Sequence, residues 1–167
     1  MGEETREIEG PGGPYRLRPA QPSDEAFQYS LFRARRAGMF QLAGLPAPMI
    51  DNLLNLQYRA REQSYRGSFP NARWSIVEHA GEPIGELIVD DETESLHIVD
   101  ITLSPERQGC GIGSALVRAV VTDSASRGGV RAMADIGNTP SRKMFARLGF
   151  VESPCGDGAN VELWWRP

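Results

Sequence analysis

Between Ile98 and Leu116 the chain reads IVDITLSPERQGCGIGSAL: strand-forming residues, a glycine-rich loop and a helix start. Gln108, Gly109, Cys110, Gly111, Ile112, Gly113 and Ser114 form the loop and helix entry. Glycines let backbone N–H groups turn toward a ligand without a Cβ in the way, and a helix N-terminus adds free donors and a positive dipole end. The chemistry of such a segment is anion binding, above all of phosphate. Its alternative is a tight strand-to-helix turn with no ligand. A P-loop is excluded, because no lysine follows the glycines and Lys143 is the chain's sole lysine. The dinucleotide fingerprint is disfavoured by glycine spacing at 109, 111 and 113. Just upstream, His97 and Asp100 share one strand-like run, and Glu86 lies on the run before it. A histidine with an ordinary pKa near 6.5 suits proton transfer at neutral pH.

The pattern around the loop narrows the reading. Gln108-x-x-Gly111-x-Gly113 resembles the Gln/Arg-x-x-Gly-x-Gly/Ala signature of the GNAT superfamily, the acyl-CoA-dependent N-acetyltransferases. Downstream, the run from Asn138 through Phe145 to Leu148-Gly149-Phe150 resembles that family's second signature. Upstream, Tyr15 to Arg18 and then Ser23-Asp24 look like its opening strand and first helix cap, so the resemblance spans residues 15 to 166.

That resemblance implies acetyl-CoA as acyl donor, no metal, and attack by a primary amine in a ternary complex. Gln108 to Ser114 would hold the cofactor pyrophosphate, while Ile101, Thr102 and Leu103 would hydrogen-bond the pantetheine arm as an added strand. A backbone N–H near Leu103 would polarise the thioester carbonyl. His97 falls where several relatives carry a general base; Asp100 is the runner-up and Glu86 a third candidate. A regular strand puts His97 and Asp100 on opposite faces, and a bulge would reverse that. Asn138 would contact the cofactor or simply cap a helix. Two positions depart from the family: Cys110 where Arg or Lys is frequent, and Phe145 where a tyrosine usually protonates the leaving thiolate. The second departure sustains an alternative, a non-catalytic acyl-CoA-binding or regulatory module.

The elements needed to position these groups are legible. A short strand at 15–18, a helix over about 24–38 and a second over about 49–65 precede strands near 73–79, 83–90 and 95–103. In the second helix Ile50, Leu53, Leu54, Tyr58 and Arg61 share one face. The loop helix follows over about 111–127, then a strand at 130–135, a helix at 140–148 and a final hairpin at 150–152 and 161–165. The fold class is α/β, with helices on both faces of a mixed sheet. The family implies that the sheet is mostly antiparallel and splayed at the acyl-CoA cleft.

Composition sets the limits. With 167 residues, 40% of them apolar, one domain with a real core is expected, residues 14–167, behind a polar, glycine-rich flexible tail at 1–13. A formal net charge of −4 offers no basic field for nucleic acid, and no run approaches a membrane span. Neither a signal nor a transit pattern is present in MGEETREIEGPGG, and two cysteines give no disulfide framework, so a cytoplasmic location is expected. The family resemblance implies a small-molecule or peptide amine as acceptor, and a monomer or homodimer is expected. The first two helices carry Arg33, Arg35, Arg36, Arg59, Arg61 and Arg66, either as solvated charges or as grips for a carboxylate or phosphate.

Overall fold

The structure, a computed structural model, describes residues 5–42 and 44–167. Eight strands form one sheet: β1 (Arg6–Gly10), β2 (Gly13–Pro19), β3 (Arg73–His79), β4 (Glu82–Asp91), β5 (Leu96–Leu103), β6 (Val130–Asp135), β7 (Val151–Pro154) and β8 (Asn160–Trp165). Helices α1 (Glu25–Leu42) and α2 (Ala47–Ser68) connect β2 to β3; α3 (Ile112–Asp123) and α4 (Thr139–Arg147) follow β5 and β6. The strand order is β1-β2-β3-β4-β5-β6-β8-β7. Every neighbouring pair is antiparallel except β5 and β6.

That parallel pair is short. Only Leu96, His97 and Ile98 of β5 find partners on β6, at Val130, Arg131 and Ala132. Both strands continue, β5 to Leu103 and β6 to Asp135, but their ladder stops. The sheet is therefore split from Val99 onward, as the resemblance implied. Beside the split, β5 pairs Ile98 with Val89 and Asp100 with Ile88, leaving Val99 as an extra residue. Such a bulge reverses side-chain parity along the strand.

The main core fills the α3 and α4 side. Ile112, Leu116, Val117 and Val120 of α3 face Leu96, Ile98, Val130 and Leu163. Their spacing is the i, i+4, i+5, i+8 stripe of an amphipathic helix. A smaller cluster on the other side joins α1 to α2 through Phe32, Ile50, Leu54 and Tyr58. Tyr58 meets the Phe32 ring edge-on at 5.6 Å.

The flexible tail expected over residues 1–13 is corrected for Arg6–Gly10; residues 1–4 lie outside the described residues. The segment Arg-Glu-Ile-Glu-Gly alternates, so Ile8 turns toward the main core while Glu7 and Glu9 face out. Arg6 adds an ion pair with Asp123 at the end of α3, and the Tyr15 hydroxyl donates to the Pro11 carbonyl across the turn. Low hydrophobicity hid a strand whose partner is only two residues away.

Candidate active site

The glycine loop hangs from the split end of β5. Ser104 N–H donates to the Ile84 carbonyl at 2.9 Å, a short 3-10 turn covers Pro105–Arg107, and Gln108 Nε2 donates back to the Leu103 carbonyl at 2.9 Å. The side chain of Gln108 thus ties the loop to the strand. Gly109 and Gly111 have φ of 74° and 83°, values that an L residue with a Cβ adopts only with strain. Gly111 is the N-cap of α3, has no side-chain cap, and accepts the first helical bond from Ala115 N–H at 3.1 Å. The N–H groups of Gly111 through Ser114 therefore precede any intrahelical partner and are available to an anion.

Packing holds this cradle open. Ile112 is buried in the main core, and Gly113 lies so near α4 that a Cβ there would come within 3.2 Å of Met144 Sδ. The β1–β2 turn flanks the loop, since a Cβ on Gly111 would come within 3.0 Å of Pro11 Cγ. Cys110 is exposed, its Sγ 3.5 Å from the Gln108 carbonyl. Asn138 caps α4, its Oδ1 accepting from Ser141 N–H at 3.3 Å. Phe145 points into the core and meets the Phe150 ring edge-on at 4.9 Å. No hydroxyl stands at that position.

Above the same stretch of β5 lies a cavity walled by α1 and α2. Leu103 and Ile101 turn their side chains to the main core, whereas Asp100 and Thr102 turn theirs to the cavity. Arg61 of α2 reaches down between two carboxylates, 2.9 Å from Glu86 Oε1 and 2.5 Å from Asp100 Oδ2. Gln28 of α1 donates to the other Glu86 oxygen, and Thr102 Oγ1 lies 3.3 Å from Asp100 Oδ2. Arg35 of α1 approaches Asp100 Oδ1 at 3.2 Å. The Arg61 guanidinium also stacks 4.7 Å from the Tyr65 ring centroid. Although burial opposes the charge of Arg61, Asp100 and Glu86 hold its pKa above the ordinary arginine value. The buried charges are thus paired and hydrogen-bonded, the condition under which burial is tolerable.

The two leading candidate bases separate here. The bulge at Val99 puts His97 and Asp100 on the same face of β5, yet only Asp100 lines the cavity. The His97 ring is 5% exposed, packs edge-on against Phe69 at 5.1 Å, and its Nδ1 has no hydrogen-bond partner. Glu92 Oε1 is 3.6 Å away, but the Glu92 carboxylate already serves Arg131 and the Ser95 hydroxyl. Burial, aided by the Arg131 charge, pushes the imidazole pKa down to about 4.

The residue pattern put Arg61 on one face of α2 with Ile50, Leu54 and Tyr58 and left it either solvated or gripping an acceptor oxyanion, whereas the structure pairs it with Glu86 and Asp100. The signal was a guanidinium seven residues after Leu54 and three after Tyr58, both buried. A charge on an apolar stripe requires a buried counter-charge. Gln28 left no comparable signal.

The family model described as acetyltransferase (GNAT) family matches residues 38–150, more than half of the chain. This protein belongs to the GNAT acetyltransferase family. Solved structures share the fold at low identity. An acetyltransferase from Thermus thermophilus superposes with a TM-score of 0.68 at 18% identity, over 92% of this chain and 97% of the other. Mycobacterium smegmatis RimJ, in complex with CoA-disulfide, gives 0.61 at 21% identity over 97% and 86%. RimL, a ribosomal L7/L12 alpha-N-protein acetyltransferase in complex with coenzyme A, gives 0.63 at 17% identity over 95% and 96%. No curated protein sequence matches the chain. Among the described residues there is no cluster of His, Cys, Asp and Glu suited to a metal, and no helix long and apolar enough to cross a membrane.

Proposed function

We propose that the protein transfers an acetyl group from acetyl-CoA to the primary amine of an acceptor, by direct attack in a ternary complex. One observation carries this reading. A single stretch of β5, Val99–Leu103, has an unpaired edge toward β6, runs into an anion cradle, and turns Asp100 and Thr102 into a charged cavity. A donor and an acceptor brought to opposite sides of that stretch meet at it. The fit to acetyl-CoA rests on the free backbone donors of Gly111 to Ser114 and on an unpaired strand edge for a peptide-like arm. RimL and RimJ were solved with CoA species, and an Elizabethkingia anophelis GNAT enzyme with acetyl-CoA, which supports the choice of donor. Acetyl-CoA, when bound, supplies an activated thioester.

Each candidate residue then has a task. Gln108, Gly109, Cys110, Gly111, Ile112, Gly113 and Ser114 hold the pyrophosphate, chiefly through backbone N–H groups. Ile101, Thr102 and Leu103 would hold the pantetheine arm through the open edge of β5, and a main-chain N–H there would be available to polarise the thioester carbonyl. Asp100 holds the acceptor ammonium at Oδ1 and passes its proton toward the cavity mouth. His97, shut behind Phe69 and Glu92, has no comparable path to the amine. Phe145 has no proton to give and keeps α4 packed against Phe150, so the proton for the leaving thiol would come from solvent. Asn138 serves the α4 cap, through which it steadies Met144 against Gly113.

Thermal unfolding with and without acetyl-CoA, with NADH as control, tests the reading first. At a hundred times its Kd the donor adds about 2.7 kcal/mol, a rise of roughly 5–10 °C for a chain of this size. No shift at millimolar acetyl-CoA would refute it. A shift without CoA release across an amine panel would favour the non-catalytic module.

A further inference from the structure

We propose that the acceptor carries an oxyanion, a carboxylate or a phosphate, close to the amine that is acetylated. This rests on the acetyltransferase reading and concerns the acceptor half of the same site.

The arginines of α1 and α2 fall into distinct groups. Arg33 is neutralised by Asp51 at 2.7 Å, and Arg66 lies 3.6 Å from Glu62 while stacking on Trp74. Arg61 is locked between Glu86 and Asp100. Arg35 and Arg36 are different, for both line the cavity and neither is fully paired. Among the described residues no carboxylate lies within ion-pair distance of Arg36, whose guanidinium lies 5.6 Å from the Phe32 ring centroid. Arg35 is half exposed and holds Asp100 Oδ1 through one long contact of 3.2 Å.

The cavity floor is already satisfied apart from one atom. Glu86 takes Gln28 and Arg61, and Asp100 Oδ2 takes Arg61 and Thr102. Asp100 Oδ1 has Arg35 alone. An ammonium entering at Oδ1 therefore meets the Arg35 guanidinium there, cation beside cation. Arg35 can yield the atom because its end of the pair is open to solvent, but its guanidinium is then left without a counter-charge in a cavity that Arg36 also lines. An oxyanion on the acceptor resolves this by bridging the two guanidiniums, whose planar donors match carboxylate and phosphate oxygens. The exchange conserves charge: the ammonium replaces Arg35 at Asp100, and the oxyanion replaces Asp100 at Arg35. A neutral amine leaves the two arginines unpaired, and a polyamine adds positive charge to them, so both are selected against.

The test compares matched acceptors on the full chain: 4-aminobutyrate against butylamine, phosphoethanolamine against ethanolamine, and putrescine as the cationic control. Steady-state CoA release gives kcat/KM for each, and calorimetry on the CoA-saturated protein gives their binding without turnover. The expected result is a preference of about ten- to a hundredfold for the anionic member of at least one pair, expressed in KM, with putrescine weakest. Which pair responds distinguishes carboxylate from phosphate. In Arg36→Gln the preference falls to about twofold or less, and Arg36→Lys restores part of it. Equal binding and turnover of neutral and anionic amines, or a best result with putrescine, would overturn the proposal while leaving the enzyme reading intact. Failure of CoA itself to bind in the calorimeter would instead remove the enzyme reading, and this inference with it.

Discussion

The edge of β5 and the face of β5 use opposite means to hold charge. Along the edge and into α3 the groups free to meet an anion are main-chain N–H donors, contributed by one continuous segment, Gly111 to Ser114. On the face, charge is held by side chains from four separate elements: Gln28 and Arg35 of α1, Arg61 of α2, Glu86 of β4 and Asp100 of β5. A backbone site tolerates a change such as Cys110, because its donors belong to every residue alike. A side-chain site has no such tolerance, since each buried charge relies on a named partner. The difference also explains why one half of the site has a motif and the other has none.

Removing the guanidinium at the centre of the side-chain half tests this contrast most severely. Arg61→Ala leaves Glu86 and Asp100 facing each other in a buried setting, and a loss of about 3–5 kcal/mol in urea unfolding is expected. A loss below about 1 kcal/mol would mean that water replaces the pair freely.

His97 lies on the same strand but in neither half, and pH separates it from both. Its imidazole titrates near the ordinary 6.5 when unfolded and near 4 when folded, where burial behind Phe69 and the Arg131 charge disfavour the charged form and Glu92 and Glu162 only partly offset them. Between those values the unfolded chain binds the extra proton. Stability is therefore full above about pH 6.5 and declines as pH falls toward 4, by about 3 kcal/mol at most. Chemical denaturation of His97→Gln between pH 4 and 7 should show this part of the slope removed, with kcat at pH 8 retained. A His97→Gln variant that loses kcat at pH 8 and keeps the slope would return the base to His97.

Within the side-chain half, Asp100→Asn keeps the shape and removes the proton acceptor. A fall in kcat of about a hundredfold, with KM for acetyl-CoA unchanged, is expected in steady-state assays. Retention of full kcat would assign the proton to another group.

The smallest effect belongs to the backbone half. Cys110→Arg adds a cation beside the cradle, and a roughly two- to fivefold tighter Kd for acetyl-CoA is expected at low ionic strength, fading as salt is raised. A change of about a hundredfold would show that side chains, not the main chain, dominate this loop.

How far these regions were legible follows from the same physics. The strands at 73–79 and 130–135 have the bounds that their residue pattern implied, because short runs punctuated by glycines at 81, 128, 129 and 137 are local signals. The glycine loop was legible because positive φ and a helix start depend on neighbours in the chain. β1 was not, since its Glu-Ile-Glu alternation is too short to outweigh its polarity until β2 lies beside it. Gly113 was assigned to phosphate, and the structure adds a packing reason, the approach of Met144. The parity of His97 and Asp100 was open in the sequence, because a one-residue bulge leaves no mark in a run such as His-Ile-Val-Asp.

By itself, then, the amino-acid sequence determined what depends on near neighbours: the order of the elements from β2 onward, the glycine turn into α3, the family pattern and the absence of a phenol at Phe145. The tertiary structure alone decided what depends on distant partners. It split β5 from β6 after Ile98, turned Asp100 rather than His97 into the cavity, and set Arg61 between two carboxylates from different strands. Local propensities act over a few residues, whereas burial and charge pairing act through space, and only the folded chain brings positions 28, 61, 86 and 100 together.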